Sequence, residues 1–269
     1  MDNNFAFAII LALLAGLSTG LGGILSFFVK KNNMNALSIG LGFSAGVMIY
    51  ISFVEILKKS GDSLCLYLGE SSGELVNLVA FFIGIGIAAL IDHLIPDHVD
   101  PDMLKESSIT DKEKKQIFSK EKLARTGVFT ALAISLHNFP EGLATFMSAL
   151  NDPALGISIA IAIAIHNIPE GIAVSLPIYY STGSKKTALK YAFLSGLAEP
   201  AGAIIGYFLF AWLFNDLAFG LIFSAVAGIM IYISLDELLP MAREYGSGHL
   251  EILGVVLGMM IISVSLILF

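Results

Sequence analysis

The chain has 269 residues, of which 56% are hydrophobic and only 14% are charged, and its formal net charge is −7 at pH 7. Charged residues make up about 25% of an ordinary soluble domain, so this composition excludes a soluble globular protein. The single cysteine, Cys65, excludes an internal disulfide and a thiolate metal cluster. We therefore expect an all-α integral membrane protein in which residues 1–269 form one transmembrane domain.

Apolar stretches long enough to cross a bilayer, which takes about 20 helical residues, recur along the whole chain. We predict eight of them, at 5–29, 36–57, 75–95, 126–149, 155–181, 188–213, 218–239 and 251–269. The first stretch could be taken for a signal peptide. Its first charge is the acidic Asp2, however, and it exceeds the apolar core of about 7–15 residues that such a peptide has. We interpret it as a retained first span.

The basic residues predict the orientation, because Lys and Arg favour cytoplasmic loops. If the N-terminus lies outside, all of the 15 Lys and Arg residues except Lys58 and Lys59 fall on the cytoplasmic side. Both termini are then extracytoplasmic. The segment at about 96–125 becomes a polar, flexible cytoplasmic loop. Around its start, Asp92, His93 and His98 offer groups that could sense or capture a metal, although a solvated acidic loop is the other interpretation.

One six-residue motif occurs twice in the middle of the chain. Residues 137–142 read His-Asn-Phe-Pro-Glu-Gly and residues 166–171 read His-Asn-Ile-Pro-Glu-Gly. In each copy His and Glu are four residues apart, so they share a helix face, and ionisable groups inside a span indicate a functional site. Pro140 and Pro169 each remove a backbone N–H and are predicted to break their helices there. The predicted metal ligands are His137, Asn138, Glu141, His166, Asn167 and Glu170, with the two Asn residues alternatively bridging helices.

A second repeat relates residues 45–57 to residues 227–239, with Gly, Met, Tyr, Ser and Glu in register. Spans two and seven run in opposite directions, and so do spans four and five. We therefore predict that spans 1–3 and 6–8 are inverted repeats around the central pair 4–5. Inverted repeats of this kind are typical of alternating-access transporters, whose site lies near the membrane midplane.

Carboxylates outside the doubled motif are also candidates. Glu199 is alone in the stretch 188–213, where an unpaired charge costs about 2.5–3.5 kcal/mol, so we expect it to share a cation with the central ligands. Glu55, Asp92, Asp236 and Glu237 lie toward span ends and either face water or line the entrance and exit of a pathway. Imidazole and carboxylate without thiolate suit Zn²⁺, Fe²⁺, Mn²⁺ or Co²⁺.

These residues resemble the ZIP (Zrt/Irt-like) family of divalent-metal transporters, particularly its bacterial branch. The resemblance rests on the two motif copies, on residues 196–199 (Gly-Leu-Ala-Glu) and on residues 234–240 (Ser-Leu-Asp-Glu-Leu-Leu-Pro), and it covers the whole chain. It implies import into the cytoplasm through a binuclear site between spans four and five. The implied first site is His137, Glu141, His166 and Glu170, with Met48; the second is Asn138, Asn167 and Glu199, with Glu141 as bridge.

We therefore expect an importer of Zn²⁺, with Fe²⁺, Mn²⁺, Co²⁺ and Cd²⁺ as further substrates, in the cytoplasmic (inner) membrane of a bacterial cell. We expect no catalytic activity, no prosthetic group and no nucleic-acid partner; metal ions and membrane lipids are the expected partners, and a homodimer is left open. Two alternatives are a divalent-cation-selective channel and an integral-membrane metalloenzyme. The sequence disfavours the enzyme, since it contains no His-Glu-x-x-His motif and no dense histidine boxes.

Overall fold

The computed structural model describes residues 3–28, 33–94, 111–151, 153–210 and 215–268, and within these ranges the chain is helical and has no β-strand. Eight helical stretches follow one another. They are α1 (Asn3–Leu25), α2 (Met34–Leu68), α3 (Glu70–Leu94), α4 (Asp111–Asn151), α5 (Pro153–Thr182), α6 (185–210, in consecutive pieces), α7 (Asp216–Tyr245) and α8 (Leu250–Leu268).

Within the described part of the chain, six of these helices are long and apolar enough to cross a membrane, namely α1, α2, α3, α5, α7 and α8. The expectation of an all-α membrane protein is thus confirmed. The other two differ for visible reasons. α4 begins with a charged segment, and α6 is divided by a turn at Leu197 and by the π-helical stretch Gly202–Gly206.

Helix α4 begins at Asp111, inside the segment 96–125 that the sequence predicted as a flexible loop. The later part of that segment is therefore helical. Lys, Glu and Gln dominate residues 111–122, and these are good helix formers even where no apolar face is present. The earlier part of the loop, including the predicted metal-sensing His98, lies outside the described residues.

The helices pack as two groups. In the first, α1, α4, α5 and α6 contact one another, and in the second α2 packs along α8 while α3 packs along α7. α4 and α5 are antiparallel, because Gly127 meets Ile178 near one end of the pair and Ala149 meets Gly156 near the other. The two groups are joined mainly by α2, which also packs against α5.

Three π-helical stretches occur among the described helices: Ser52–Ile56 in α2, Gly202–Gly206 in α6 and Ile233–Leu238 in α7. The first and third lie within the two related segments 45–57 and 227–239. Such bulges are frequent at functional sites. Candidate acidic residues lie on them, namely Glu55, Asp236 and Glu237.

The helix breaks predicted at Pro140 and Pro169 are wrong. α4 and α5 both continue through these prolines, with helical structure on either side. Each proline still removes one backbone donor, but packing against neighbouring helices lets a transmembrane helix tolerate that loss. The two motif copies are therefore presented by continuous helices.

Candidate metal site

The two motif copies meet where α4 and α5 pass each other inside the first helix group. Nε2 of His137 lies 3.0 Å from Oε1 of Glu170, and Nε2 of His166 lies 3.4 Å from Oε2 of Glu141. Each histidine thus faces the glutamate of the other copy, because antiparallel helices place the start of one motif beside the end of the other. The sequence predicted that His and Glu of one copy share a face; in the structure the two faces meet.

Several buried polar atoms of this cluster have no hydrogen-bond partner within the described residues. Buried polar atoms are normally hydrogen-bonded, so a group of exceptions offers donor atoms that are available to an ion. Imidazole nitrogen together with amide and carboxylate oxygen is a donor set that divalent transition metals accept. The atoms are Nδ1 of His137, Oδ1 of Asn138, Oδ1 of Asn167 and Oε2 of Glu170.

Backbone carbonyls orient the two asparagines. Nδ2 of Asn138 donates to the carbonyl of Ser195 in α6 at 3.2 Å, and Nδ2 of Asn167 donates to the carbonyl of Ala15 in α1 at 3.1 Å. Each side chain uses its N–H group to bridge helices, which leaves Oδ1 as an available acceptor. The two interpretations of these residues, helix bridge and metal ligand, are therefore compatible in the same side chain.

Two motif glycines bring the neighbouring helices against the site. A Cβ atom on Gly142 would collide with the carbonyl oxygen of Glu199 in α6, and one on Gly171 would collide with the carbonyl oxygen of Thr19 in α1. Glu199 is fully buried, and its backbone meets Gly142, the residue that follows Glu141 in the first motif copy. The structure thus brings Glu199 to the central cluster, where the sequence predicted it.

A cavity of about 220 Å³ opens beside the cluster. Its polar lining residues are Glu55, Lys59, Glu141, Ser148 and His166, and the remaining wall is mostly apolar. Glu55 forms an ion pair with Lys59 one helical turn away. The predicted pathway residue Glu55 therefore shares one cavity with two central residues, Glu141 and His166.

A second charged cluster joins α3, α4 and α7. Carboxylate oxygens of Asp92, Asp236 and Glu237 lie within 4.8 Å of one another. Nη2 of Arg125 lies 2.8 Å from Oδ1 of Asp92, and its Nη1 lies 3.6 Å from Oε1 of Glu237. Thr126 donates a hydrogen bond of 2.6 Å to Oε2 of Glu237. Three predicted pathway residues are thus brought together, with a cation among them.

Sequence reasoning missed Arg125 and Thr126, since both fell at the edge of the predicted loop. Helical spacing would have found the threonine: Thr126 and Thr130 lie eleven and seven residues before His137, on the same face of α4. Met48, which the family resemblance implied as a ligand, is fully buried in the apolar core of α2, α4, α5 and α7 and does not line the cavity.

Comparison with known proteins decides the family. The sequence profile described as ZIP zinc transporter matches residues 96–266. The chain belongs to the ZIP zinc transporter family. The family predicted from the doubled motif is thereby confirmed, and together with the apolar helices it makes this a multi-pass membrane protein.

Relatives match over their whole length. A zinc transporter ZupT from Chlorobaculum parvum is 56% identical over 269 residues, covering 100% of both chains. Another, from Streptococcus mutans, is 55% identical over 269 residues and also covers 100% of both chains. The zinc transporter ZupT of Clostridium perfringens is 52% identical over 277 residues, covering 99% of this chain and 97% of the relative. Similarity to ZIP proteins therefore extends over all eight helical stretches.

Proposed function

We propose that this chain imports divalent transition metal ions, with Zn²⁺ as a principal substrate. The observation that carries the proposal is the pair of reciprocal contacts, His137 with Glu170 and His166 with Glu141, buried between two membrane helices. Full-length relatives named as zinc transporters support it. The chemistry of the donors extends the expected substrates to Fe²⁺, Mn²⁺, Co²⁺ and Cd²⁺.

The ligands divide into two sets that share Glu141. The first set joins the two histidines to both motif glutamates, and the second uses the free amide oxygens of Asn138 and Asn167 with the carboxylate of Glu199. A binuclear site bridged by Glu141 would employ the unpartnered oxygens described above. Three carboxylates also offset most of the charge of two divalent ions, which otherwise would be costly to bury.

Alternating access would deliver the ion to the cytoplasm. Helices α4 and α5 are antiparallel, and Ser60 in α2 and Ser224 in α7 are joined through Asn77. These contacts support an inverted-repeat arrangement of eight spans. The cavity reaches Glu141 and His166 from the side of Glu55, which the positive-inside prediction places outside the cell. Arg125 and its carboxylate partners would then close the cytoplasmic side of a bacterial inner-membrane protein whose termini are both extracytoplasmic.

Metal uptake into vesicles containing the purified chain tests the proposal. Wild type should accumulate Zn²⁺ saturably, whereas Glu141→Ala and His166→Ala should accumulate almost none. Ser263→Ala is a matched control, because that hydroxyl only donates to the carbonyl of Met260 in its own helix. If both site variants transported like wild type, the site assignment would be wrong; if wild type moved no divalent ion, the function would be wrong.

Competition among Zn²⁺, Fe²⁺, Mn²⁺ and Cd²⁺ at two pH values in the same vesicles would rank the substrates. Flux that saturates at low rates supports a carrier, and flux at channel rates would contradict alternating access. Chemical crosslinking in the membrane would test the homodimer, for which the exposed apolar faces of α3 and α8 offer surface that lipid otherwise covers.

A further inference from the structure

Helices α1 and α6 present corresponding segments to the central site. Residues 16–22 read Gly-Leu-Ser-Thr-Gly-Leu-Gly and residues 196–202 read Gly-Leu-Ala-Glu-Pro-Ala-Gly. In this correspondence Thr19 takes the position of Glu199. The packing agrees, since the carbonyl of Thr19 meets Gly171 of the second motif copy just as the carbonyl of Glu199 meets Gly142 of the first.

Contacts one turn earlier follow the same correspondence. The carbonyl of Ala15, four residues before Thr19, accepts from Asn167, and the carbonyl of Ser195, four residues before Glu199, accepts from Asn138. The side chains also leave their helices on equivalent faces. Cβ of Thr19 lies 3.0 Å from the position a Cβ would take on Gly196, and Oε2 of Glu199 lies 3.0 Å from that position on Gly16.

The hydroxyl of Thr19 is buried and has no partner within the described residues. A threonine inside a helix normally donates to the carbonyl three or four residues earlier. Here the carbonyl four residues earlier, that of Ala15, already accepts from the hydroxyl of Ser18 at 2.5 Å and from Asn167. The packing of the second motif copy against α1 thus occupies the usual acceptor and leaves Oγ1 of Thr19 available.

We propose that Thr19 is a specificity-determining residue of this transporter, presenting a neutral hydroxyl oxygen to the metal ions from the α1 side of the site, opposite Glu199. The inference rests on the proposed function and deepens it. A carboxylate at this position would add a second charge at the level of Glu199, whereas a hydroxyl supplies an oxygen without charge. Oxygen ligands favour Mn²⁺, whereas imidazole or softer ligands favour softer ions such as Cd²⁺. The hydroxyl therefore contributes to the acceptance of Mn²⁺.

The experiment compares Thr19→Val, which keeps the shape and removes the hydroxyl, with Thr19→Ser, which keeps the hydroxyl. Uptake of Mn²⁺ and Cd²⁺ from a mixture is measured in vesicles, together with the KM for each ion. In Thr19→Val the Mn²⁺ to Cd²⁺ ratio should fall by about threefold to tenfold, the range that loss of one polar contact gives. Thr19→Ser should retain the wild-type ratio.

Two further variants make the result decisive. Thr19→Ala is a second hydroxyl-free form in case the valine variant does not insert. Ser26→Ala is the matched control, because this buried hydroxyl at the end of α1 donates to the carbonyl of Gly23 at 2.7 Å. Unchanged ratios in both hydroxyl-free variants, with Glu141→Ala still inactive, would overturn the inference and leave the proposed function standing. Absence of uptake by wild type would refute the proposed function itself.

Discussion

The two His–Glu pairs of the central cluster have the same donors but different surroundings. The side chains of His137 and Glu170 are 0% exposed, whereas those of His166 and Glu141 are 5% and 3% exposed and border the cavity. On the side of His137, α4 continues through the buried Thr130 toward Arg125 and its carboxylate partners. On the side of Glu141 it continues to Ser148 in the cavity wall.

This difference shows that two pairs with the same chemical groups can differ in their exposure to a cavity. The two pairs are chemically equivalent, but among the described residues the cavity borders only the pair His166 and Glu141. The sequence alone predicts two equal copies, because the motif residues are nearly identical. The inequality comes from packing, and it agrees with the alternating access proposed above.

Substitutions that separate the motif copies from α6 or α1 should have the largest effect on uptake. Gly142→Ala and Gly171→Ala each place a methyl group on a backbone carbonyl of the adjacent helix, Glu199 or Thr19, and neither carbonyl can move without moving its helix. We expect uptake to fall at least about 100-fold in each, since displacements of about 1 Å have effects of this size. Gly86→Ala in α3 is the control, because nothing lies within 4 Å of its added methyl, and it should behave like wild type. Normal uptake by Gly171→Ala would show that the second copy does not need α1.

Thiol labelling should measure the difference in access directly. In a Cys65→Ser background, Ser148→Cys should react with a membrane-impermeant thiol reagent, and Zn²⁺ should protect it. Thr130→Cys, from the buried side of the site, should react at least about 100-fold more slowly, because reaction requires an opening that the native packing rarely allows. Equal rates would contradict one-sided access.

Arg125→Gln should make the buried side of the site more accessible, with an effect smaller than those of the glycine and cysteine variants. The variant leaves Asp92 and Glu237 facing each other without their cation, and the resulting repulsion should separate α3 and α7 from α4. In this background labelling of Thr130→Cys should accelerate by about tenfold. The comparison variant is Arg243→Gln, whose exposed side chain is 4.0 Å from Glu251 and should leave the rate unchanged. An unchanged labelling rate in Arg125→Gln would show that these ion pairs do not hold the cytoplasmic side closed.

The smallest effect is expected for Lys122→Ala. The ammonium group pairs with Glu244, but both side chains are largely exposed, at 54% and 42%. Exposed pairs contribute less than about 1 kcal/mol, so the melting temperature and the uptake should both stay near wild type. A marked fall in the melting temperature or in uptake would mean that this pair helps Arg125 to close the cytoplasmic side.

The sequence predicted the helical class, the family and the residues of the central cluster, because ionisable groups in apolar helices are informative one by one. It did not predict which His faces which Glu, since that depends on the offset between α4 and α5. The helix breaks at Pro140 and Pro169 were expected from local chemistry alone, and packing overrides that chemistry. Arg125 was missed for a related reason: a basic residue at the edge of a loop has no distinguishing pattern until α3 and α7 place carboxylates around it.

The cavity beside Glu141 and His166 also has a consequence for ion hydration. One water molecule needs about 10–15 Å³ of such a cavity, so a volume of about 220 Å³ holds several molecules. A small divalent ion, which gives up its bound waters reluctantly, would therefore have room to enter with waters still attached. Apart from Glu55, Lys59 and Ser148, the wall is apolar, with residues such as Ile159, Ile163 and Phe223, and offers few groups to replace those waters. If the central cluster binds the ion as proposed, most of its hydration shell would be lost only where imidazole and carboxylate replace water, which would tie dehydration to the point of recognition.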